Sequence, residues 1–330
     1  MPVSPGQGGN SSSPTIAVLH AVDRPPALAE HACGAELRFA TDDTLADTLP
    51  GCDALFVWDF TSDAVRGAWP AADTMRWVHT ASAGVDRLIF PGLVDSDVTL
   101  TNSRGVFDTP MAEYVLGVVL AFAKDLPQTL RLQDRREWRH RETEGIAGRC
   151  AVVVGSGPIG RAIARLLTAA GLQVRLVGRR PADGVHGIDE LDALLPEADF
   201  LVLAAPLTDR TRGLLDAAAL GLLKPTARVV NVGRGALVVQ SDLVDALAAG
   251  RIAGAALDVF ETEPLPADSP LWGMPNVIVS PHMSGDTVGW RDALVELFAD
   301  NLARYRAGTP LRNVVDKARG YVTGNTGGSA

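Results

Sequence analysis

Short apolar runs alternate with segments of helical periodicity along most of the chain. The first series of runs covers residues 16–19, 54–58, 77–80 and 98–101. The second series covers residues 151–154, 174–177, 200–204, 228–232, 255–259 and 277–280. Apolar runs of this length that are followed by helical patterns are typical of strands in a mostly parallel sheet. The pattern therefore predicts an α/β protein with two series of strands.

Helical patterns lie between and around the two series. Residues 114–123 form a long apolar pattern before the second series, and residues 290–306 form another after it. Residues 161–170 carry apolar side chains on one helical stripe. Ser241 is expected to cap a helix that ends near Gly250.

The order of these patterns predicts two domains and two tails. A first domain, residues 15–104 and 286–321, is expected to be discontinuous, because residues 105–285 form a second α/β unit inserted into it. The ends of the chain, residues 1–14 and 322–330, are rich in Gly, Ser and Asn and are expected to be disordered tails.

The composition is that of an ordinary globular protein. The 330 residues are 47% hydrophobic and carry a net charge of −9, which argues against a basic nucleic-acid-binding face.

Cys33, Cys52 and Cys150 form no CxxC pair, so a reducing compartment is expected. No apolar stretch is long enough for a membrane span and the N-terminus has no signal features, which predicts a cytoplasmic protein. The six histidines show no zinc-ligand spacing, so no metal site is expected.

A glycine-rich turn follows the first strand of the second series. Gly155, Gly157 and Gly160 in VVVGSGPIGRAIA stand between that strand and the start of a helical pattern. Glycines at this spacing permit a tight turn and a close approach of backbone to a pyrophosphate, which the N–H groups of the helix then bind. We therefore expect two Rossmann-like domains with doubly wound parallel sheets, in which the cofactor domain is inserted into a flavodoxin-like substrate domain.

The position that distinguishes NAD from NADP carries no acid. An acidic residue about 20 positions after the turn usually binds the ribose 2′-OH of NAD. Here the segment VRLVGRRP places Gly178, Arg179 and Arg180 at that point. A missing acid beside two arginines favours the 2′-phosphate of NADP, although a solvated basic loop is the alternative. We expect NADP(H) to be preferred, with NAD(H) possible.

Polar residues that follow the later strands suggest a reaction. Arg234 and His282 each follow a predicted strand, and Glu263 lies just beyond Asp258 at the end of another. The carboxyl ends of parallel strands meet in one crevice. A keto group that accepts a hydride needs a proton, which a histidine next to a carboxylate can donate, and an arginine can pair with the acid group of a substrate. Each residue alone could be a turn or loop residue, but together they predict reduction of a 2-keto acid.

Several motifs resemble those of the D-isomer-specific 2-hydroxyacid dehydrogenases. They are TASAGVDRL, TNSRGVFDTPMAEYVL, GSGPIGRAIA, APLTDRTRGLL, NVGRGALV, GRIAGAALDVFETEPLP, LWGMPNVIVSPHMSG and NLARYRAGTPLRNVVD, spread over roughly residues 77–321. The resemblance implies an oxidoreductase similar to the glyoxylate/hydroxypyruvate reductases. Val239 stands where the family often has Asp, and Ser280 where Thr is usual. Neither departure affects the three residues predicted to carry the reaction.

The resemblance also implies individual roles. Arg234 would bind the carboxylate and keto oxygen of the substrate, His282 would be the acid/base and Glu263 its partner. The N–H groups around Ala83 and Gly84 would also hold the substrate carboxylate. Asp258 would bind the nicotinamide amide. The complete predicted cofactor set is Thr109, Gly155, Gly157, Pro158, Ile159, Gly160, Gly178, Arg179, Arg180, Pro206, Thr211, Val232, Gly233, Asp258 and Gly285.

The charged segment at residues 131–145, which contains Trp138, can be a solvated loop. The resemblance implies a dimer arm instead, and with the apolar pattern at residues 114–123 it predicts a homodimer. Two other functions stay open. One is a non-catalytic dinucleotide-sensing protein like the corepressors that resemble this family, and the other is a short 3-phosphoglycerate dehydrogenase.

Overall fold

The structure is a computed structural model that describes residues 13–323. The chain divides into two units, one of Met1–Val106 with Gly289–Ala330 and one of Phe107–Val288. Most of the two predicted tails lies outside the described residues. At their inner ends the tails were predicted too long. Pro14 is buried and its carbonyl accepts a hydrogen bond from the N–H of Glu36, and Val322 pairs with Val315 in a short hairpin.

The regular elements are named here in chain order. The strands are β1 (Thr15–Leu19), β2 (Glu36–Ala40), β3 (Ala54–Val57), β4 (Trp77–Thr80), β5 (Thr99–Thr101), β6 (Cys150–Val154), β7 (Gln173–Gly178), β8 (His186–Gly187), β9 (Phe200–Leu203), β10 (Arg228–Asn231), β11 (Gly254–Leu257), β12 (Val277–Val279), β13 (Val315–Asp316) and β14 (Tyr321–Val322). The helices are α1 (Leu28–His31), α2 (Leu45–Thr48), α3 (Ala64–Ala68), α4 (Pro91–Val94), α5 (Asp108–Ala123), α6 (Leu126–Asp134), α7 (Pro158–Ala169), α8 (Leu191–Leu194), α9 (Ala217–Leu222), α10 (Gln240–Ala248) and α11 (Trp290–Ala307).

The first unit is built on a five-stranded parallel sheet. Its strand order is β2-β1-β3-β4-β5, the order of a flavodoxin-like doubly wound sheet. Helix α11 packs on this sheet through Phe298, whose ring stacks on Phe56 of β3 at 4.1 Å and on Trp77 of β4 at 5.1 Å between ring centroids. This contact places the helix predicted near residues 290–306 in the core of the first unit.

The second unit is built on a seven-stranded parallel sheet of order β12-β11-β10-β9-β6-β7-β8. This is the Rossmann order, in which the strand order reverses between β6 and β9 although all strands run parallel. Alternate strand residues face opposite sides of the sheet, and both faces are covered. Val153 packs with Val115 of α5 and Ile163 of α7, whereas Val152 packs with residues of α8, α9 and α10. The predicted α/β fold with two doubly wound parallel sheets is therefore confirmed.

Helix α10 begins differently from the prediction. Ser241 is not its cap: the helix starts at Gln240, after Val239, which makes no capping hydrogen bond through its side chain. The N–H of Gln240 instead donates to the Glu261 carboxylate at 3.0 Å. A residue distant in sequence therefore satisfies the first donor of the helix, which no local pattern indicates.

Candidate active site

The glycine-rich turn lies at the carboxyl end of β6. Gly155 has φ 125°, and a Cβ at this position would lie 2.5 Å from the carbonyl oxygen of Ala204, just after β9. Gly157 precedes α7, and a Cβ there would meet nothing within 4 Å. Pro158, Ile159 and Gly160 form the first turn of the helix. The turn thus presents the N-terminus of α7 at the point where the strand order reverses, with open backbone that fits a pyrophosphate.

Other predicted cofactor residues follow neighbouring strands. Pro206 follows β9, and its carbonyl accepts a hydrogen bond at 2.8 Å from the hydroxyl of Thr211. Val232 and Gly233 follow β10, whereas Thr109 lies in the first turn of α5. In the loop after β12, a Cβ at Gly285 would lie 2.7 Å from the ring of Phe107. The residues that follow β6, β7, β9, β10 and β11 therefore line one edge of the second unit's sheet.

Gly178 is the last residue of β7 and is buried. A Cβ at Gly178 would overlap the hydroxyl of Ser156 and would lie 2.9 Å from a methyl group of Val185. Ser156, in the glycine-rich turn, therefore fills the space from which an acidic side chain at position 178 would extend. Arg179 and Arg180 follow and are exposed. Ser156 could not be predicted from the sequence, because its contact with Gly178 arises only when β6 and β7 pair.

Arg234 lies in a turn that the side chain of Asn231 stabilises by two hydrogen bonds. Asn231 is buried at the end of β10, where its side chain accepts a hydrogen bond from the N–H of Gly233 at 3.1 Å and donates one to the carbonyl of Arg234 at 3.0 Å. The Arg234 guanidinium donates to the carbonyl of Gly233 at 2.9 Å and is partly exposed. Asn231 is a second residue that could not be predicted from the sequence.

His282 and Glu263 form a pair. The Nδ1 atom of His282 lies 2.8 Å from Oε2 of Glu263, and Oε1 accepts a hydrogen bond from the N–H of Phe260 at 2.9 Å. Burial raises the pKa of Glu263, but the hydrogen bonds from His282 and Phe260 and the charges of His282 and Arg234 outweigh it, so its pKa lies below the ordinary value. The carboxylate accepts a hydrogen bond from Nδ1–H of the ring, which leaves Nε2 on the other side of the ring outside this pair.

Asp258 organises the loop that carries His282. Its side chain is completely buried and accepts hydrogen bonds at 2.9 Å from the N–H groups of Met283 and Ser284. Its carbonyl accepts one from the N–H of His282 at 2.8 Å. These bonds hold His282 at φ 53°, in the left-handed region that costs a non-glycine residue energy. The residue predicted at the nicotinamide amide thus also fixes the backbone around the predicted acid/base.

In the first unit, Ala83 and Gly84 lie in the loop after β4. The carbonyl of Ala83 accepts a hydrogen bond from the Asn102 side chain at 2.6 Å, and the carbonyl of Gly84 accepts one from the Ser82 hydroxyl at 2.5 Å. Within residues 13–323, the N–H groups of Ala83 and Gly84 donate no hydrogen bond. The loop therefore offers two fixed donors that suit a carboxylate.

The structure also bears on metals, membranes and disulfides. Among the described residues, no group of three or more His, Cys, Asp or Glu side chains could hold a metal ion. Over the same range, every helix is too short or too polar to cross a bilayer. Cys33, Cys52 and Cys150 are all free thiols.

Known proteins share both the sequence and the fold. The sequence-family model for the NAD-binding domain of the D-isomer specific 2-hydroxyacid dehydrogenases matches residues 116–284 of this chain. A glyoxylate/hydroxypyruvate reductase A from Serratia proteamaculans is 34% identical over 265 residues, which cover 75% of this chain and 82% of that protein. A D-3-phosphoglycerate dehydrogenase from Methanocaldococcus jannaschii is 30% identical over 84% of this chain, which spans only 54% of that protein.

Two solved structures superpose on nearly the whole chain. A D-isomer specific 2-hydroxyacid dehydrogenase from Xanthobacter autotrophicus, in complex with NADPH, has a TM-score of 0.81 and 33% identity and covers 94% of this chain and 100% of its own. An NADPH-dependent glyoxylate/hydroxypyruvate reductase from Sinorhizobium meliloti, in complex with NADP, has a TM-score of 0.79 and 32% identity with the same coverage. The chain therefore belongs to the D-isomer-specific 2-hydroxyacid dehydrogenase family.

Proposed function

We propose that the protein reduces a small 2-keto acid such as glyoxylate or hydroxypyruvate, with NADPH as the preferred reductant. The observation that carries the proposal is the 2.8 Å contact between His282 and Glu263, within the field of the Arg234 guanidinium. An acid/base, its carboxylate partner and an anion-binding cation stand in the unit whose sheet carries the dinucleotide turn. Relatives named as glyoxylate/hydroxypyruvate reductases support this substrate class.

The proposed roles follow from the chemistry of each group. The bound dinucleotide supplies a hydride to the keto carbon. Arg234 pairs with the substrate carboxylate and polarises the keto oxygen, which gains negative charge during reduction. His282 donates a proton from Nε2 to that oxygen. Glu263 opposes the positive charge of His282 and fixes the orientation of its ring.

The two units take different parts in this proposal. The second unit, Phe107–Val288, binds the dinucleotide through the turn at Gly155 and through the other residues at the carboxyl edge of its sheet. The first unit binds the substrate carboxylate through the N–H groups of Ala83 and Gly84. The open backbone at Gly157 supports the first assignment, and the absence of internal partners for these two N–H groups among residues 13–323 supports the second.

The preference for NADPH rests on the loop after β7. Gly178 provides no carboxylate to bind a ribose diol or to repel a 2′-phosphate, and Arg179 is exposed beside it. A charge-assisted hydrogen bond contributes about 1.5–3 kcal/mol when well formed, and less at an exposed edge. One such contact favours NADPH over NADH by roughly ten- to a hundredfold, because about 1.4 kcal/mol is a factor of ten.

One set of initial rates tests these proposals. NADPH and NADH oxidation are measured against glyoxylate, hydroxypyruvate, larger 2-keto acids and ketones without a carboxylate. We expect turnover of the small keto acids, no turnover of simple ketones, and a higher kcat/KM for NADPH. Equal rates on a ketone that lacks the carboxylate would contradict the role of Arg234. A kcat/KM ratio in favour of NADH would contradict the proposed contact of Arg179.

The two alternative functions are not favoured. The reductases match this chain over most of their length, whereas the chain spans 54% of the phosphoglycerate dehydrogenase that it matches. The same experiment includes 3-phosphoglycerate with the oxidised cofactor. A non-catalytic dinucleotide-sensing protein would bind NADPH and turn over none of the substrates.

We also propose that the protein is a homodimer, for a reason that differs from the one predicted. Helix α5 does not expose its apolar face, since Val115 and Val119 are buried on the sheet of their own unit. The exposed apolar side chains lie beyond it: Leu126 and Leu130 on α6 are 46% and 59% exposed, and Trp138 in the following segment is completely exposed. A second copy of the chain would cover these side chains.

Light scattering at micromolar concentration is expected to give the mass of a dimer. Trp138→Ser together with Leu130→Ser should shift the equilibrium towards the monomer. The matched control is Trp272→Ser, which removes a tryptophan that is 55% exposed elsewhere in the same unit and should leave the mass unchanged. A monomer mass for the unmodified protein would refute the proposal.

A further inference from the structure

A line of three side chains leads from helix α5 to the loop that carries His282. The hydroxyl of Tyr114 lies 2.5 Å from Oγ of Ser280, and the Ser280 hydroxyl donates to Oδ1 of Asp258 at 2.6 Å. A carboxylate only accepts hydrogen bonds, so it takes the single hydrogen of Ser280. The Ser280 oxygen must then accept from Tyr114. The direction of both bonds is therefore fixed, from Tyr114 through Ser280 to Asp258.

The last member of this line controls the backbone around His282. Asp258 accepts hydrogen bonds from three consecutive N–H groups, with its carbonyl from His282 and with its carboxylate from Met283 and Ser284. The left-handed conformation of His282 is held by these bonds. A rotation of the Asp258 carboxylate would therefore release the N–H groups of Met283 and Ser284 and loosen the loop that presents the His282 ring to Glu263.

Tyr114 is suited to hold that carboxylate still. Burial raises the pKa of its phenol, the hydrogen bond to Ser280 lowers it, and the negative charge of Asp258 raises it, with a net increase. The phenol therefore stays protonated and remains a donor throughout the neutral range. The ring is anchored on α5, which packs against α7 and the sheet, so the hydroxyl is delivered from a rigid element.

We propose that Tyr114 is a positioning residue for His282, which acts through the Ser280 hydroxyl and the Asp258 carboxylate. This inference rests on the proposed function for its effect on turnover. Its effect on the loop at residues 280–284 does not depend on which reaction the protein catalyses. The usual threonine of the family and the serine of this chain both supply the hydroxyl that the line needs.

The test compares four variants by steady-state kinetics with NADPH and the best keto acid of the panel. Tyr114→Phe keeps the ring and removes the donor. We expect its kcat to fall about three- to tenfold, the effect of one lost hydrogen bond, with the KM of the keto acid unchanged. Ser280→Ala should reduce kcat further, whereas Ser280→Thr retains the hydroxyl and should stay near the unmodified protein.

The double variant Tyr114→Phe/Ser280→Ala shows whether Tyr114 acts through Ser280 or whether the two residues affect kcat independently. We expect it to be no slower than Ser280→Ala alone, because Tyr114 acts only through Ser280. The primary isotope effect with NADPH deuterated at the transferred position should rise in Tyr114→Phe, since a misplaced acid slows the chemical step. Tyr305→Phe is the matched control, because it removes a partly buried phenol from the first unit and should change none of these quantities.

A loop measurement distinguishes failure of this inference from failure of the proposed function. Hydrogen exchange at the amides of Met283 and Ser284, which bind the Asp258 carboxylate, is expected to be faster in Tyr114→Phe than in the unmodified protein or in Tyr305→Phe. Unchanged exchange would overturn the inference whatever the enzyme does. Unchanged kcat and isotope effect in an active enzyme, or additive losses in the double variant, would overturn it as well. Faster exchange in a protein that turns over none of the keto acids would support the loop role and refute the proposed function.

Discussion

The Glu263 carboxylate divides its two oxygens between the ring of His282 and the N–H of Phe260. These donors, with the nearby charges, keep its pKa below the ordinary value despite burial. Glu263 therefore becomes protonated at a lower pH than a free glutamate does. Across neutral pH it presents a constant negative charge to the ring of His282.

Removing that charge should change the pH dependence of reduction. In Glu263→Gln we expect a moderate loss of kcat. We also expect the rate to decline at a lower pH on the alkaline side of the profile than in the unmodified protein, because the cationic ring of His282 loses the negative charge opposite it. The measurement is kcat/KM against pH. Glu261→Gln is the matched control, because the Glu261 carboxylate lies in the same loop but caps α10 and does not contact His282. An identical profile for Glu263→Gln and the unmodified protein would remove Glu263 from the proposed mechanism.

Removal of the acid itself should be far more damaging. His282→Ala is expected to lower kcat by about 10²–10⁴, the usual contribution of a positioned acid. Binding of NADPH, followed by its fluorescence, should be nearly unchanged, because among the described residues no hydrogen bond joins His282 to the pyrophosphate turn at residues 155–160. His31→Ala, which removes an exposed histidine from the first unit, should leave both quantities as they are. A variant that retains turnover would show that another group supplies the proton.

At the scale of elements, strands were predictable where both of their faces are buried. The residues of β3, β4 and β6 are buried throughout, and such strands read as continuous apolar runs. The sequence ELRFA of β2 was missed, because this edge strand pairs only with β1 and alternates polar with apolar residues. The two-residue strand β8 is another edge and carries too little pattern to be recognised.

In the candidate site, too, only the residues marked by a local sequence pattern could be predicted. Arg234, Glu263 and His282 could be proposed from sequence, because each follows a strand whose end the pattern marks. Asn231, Ser156 and Tyr114 could not, since each acts through a partner on a different element or through a backbone turn. Their contacts depend on strand pairing and helix packing, which local periodicity does not specify.

The packing of β6 against β7 determines how cofactor preference can be changed. Because a Cβ at position 178 would overlap Ser156, Gly178→Asp alone is expected to distort the turn and weaken both cofactors. Ser156→Gly removes the nearer of the two clashing side chains and leaves only the Val185 methyl group, which must shift by a few tenths of an ångström. Arg179→Ala removes the proposed phosphate contact. The triple variant should therefore prefer NADH.

The ratio of kcat/KM for the two cofactors measures this effect in each variant. The comparison between Gly178→Asp with and without Ser156→Gly isolates the steric contribution of the serine, because the introduced charge is the same. Arg165→Ala is the control, because this exposed arginine lies farther along α7 and should leave the ratio unchanged. If Gly178→Asp alone already prefers NADH with normal affinity, Ser156 has no part in the discrimination.

For the whole molecule, the most unusual ionisable group is His79 in the core of the first unit. It is fully buried among Phe56, Trp77 and Phe298, and burial lowers its pKa to about 3. Its neutral ring is nevertheless hydrogen-bonded: Nδ1 lies 2.8 Å from the Thr101 hydroxyl. The folded protein therefore holds this imidazole uncharged at neutral and mildly acidic pH.

This arrangement makes stability fall as the solution is acidified. The unfolded chain binds a proton at His79 below about pH 6.5, whereas the folded protein does not until the pH approaches 3. The unfolded state thus gains protons first, and stability that is present above pH 6.5 is lost as the pH decreases. Between pH 7 and pH 5 this single group should lower the free energy of unfolding by about 2 kcal/mol.

Urea unfolding at pH 7 and at pH 5 checks this value in a comparison with His79→Gln. The glutamine is neutral in both states, so the variant is expected to be less stable at pH 7 but to lose about 2 kcal/mol less between the two pH values. All other ionisable groups are common to both proteins and cancel in the difference. His31→Gln replaces an exposed histidine of the same unit and should retain the pH dependence of the unmodified protein. The same loss of stability in His79→Gln would mean that the folded core accepts a proton at His79 as readily as the unfolded chain does.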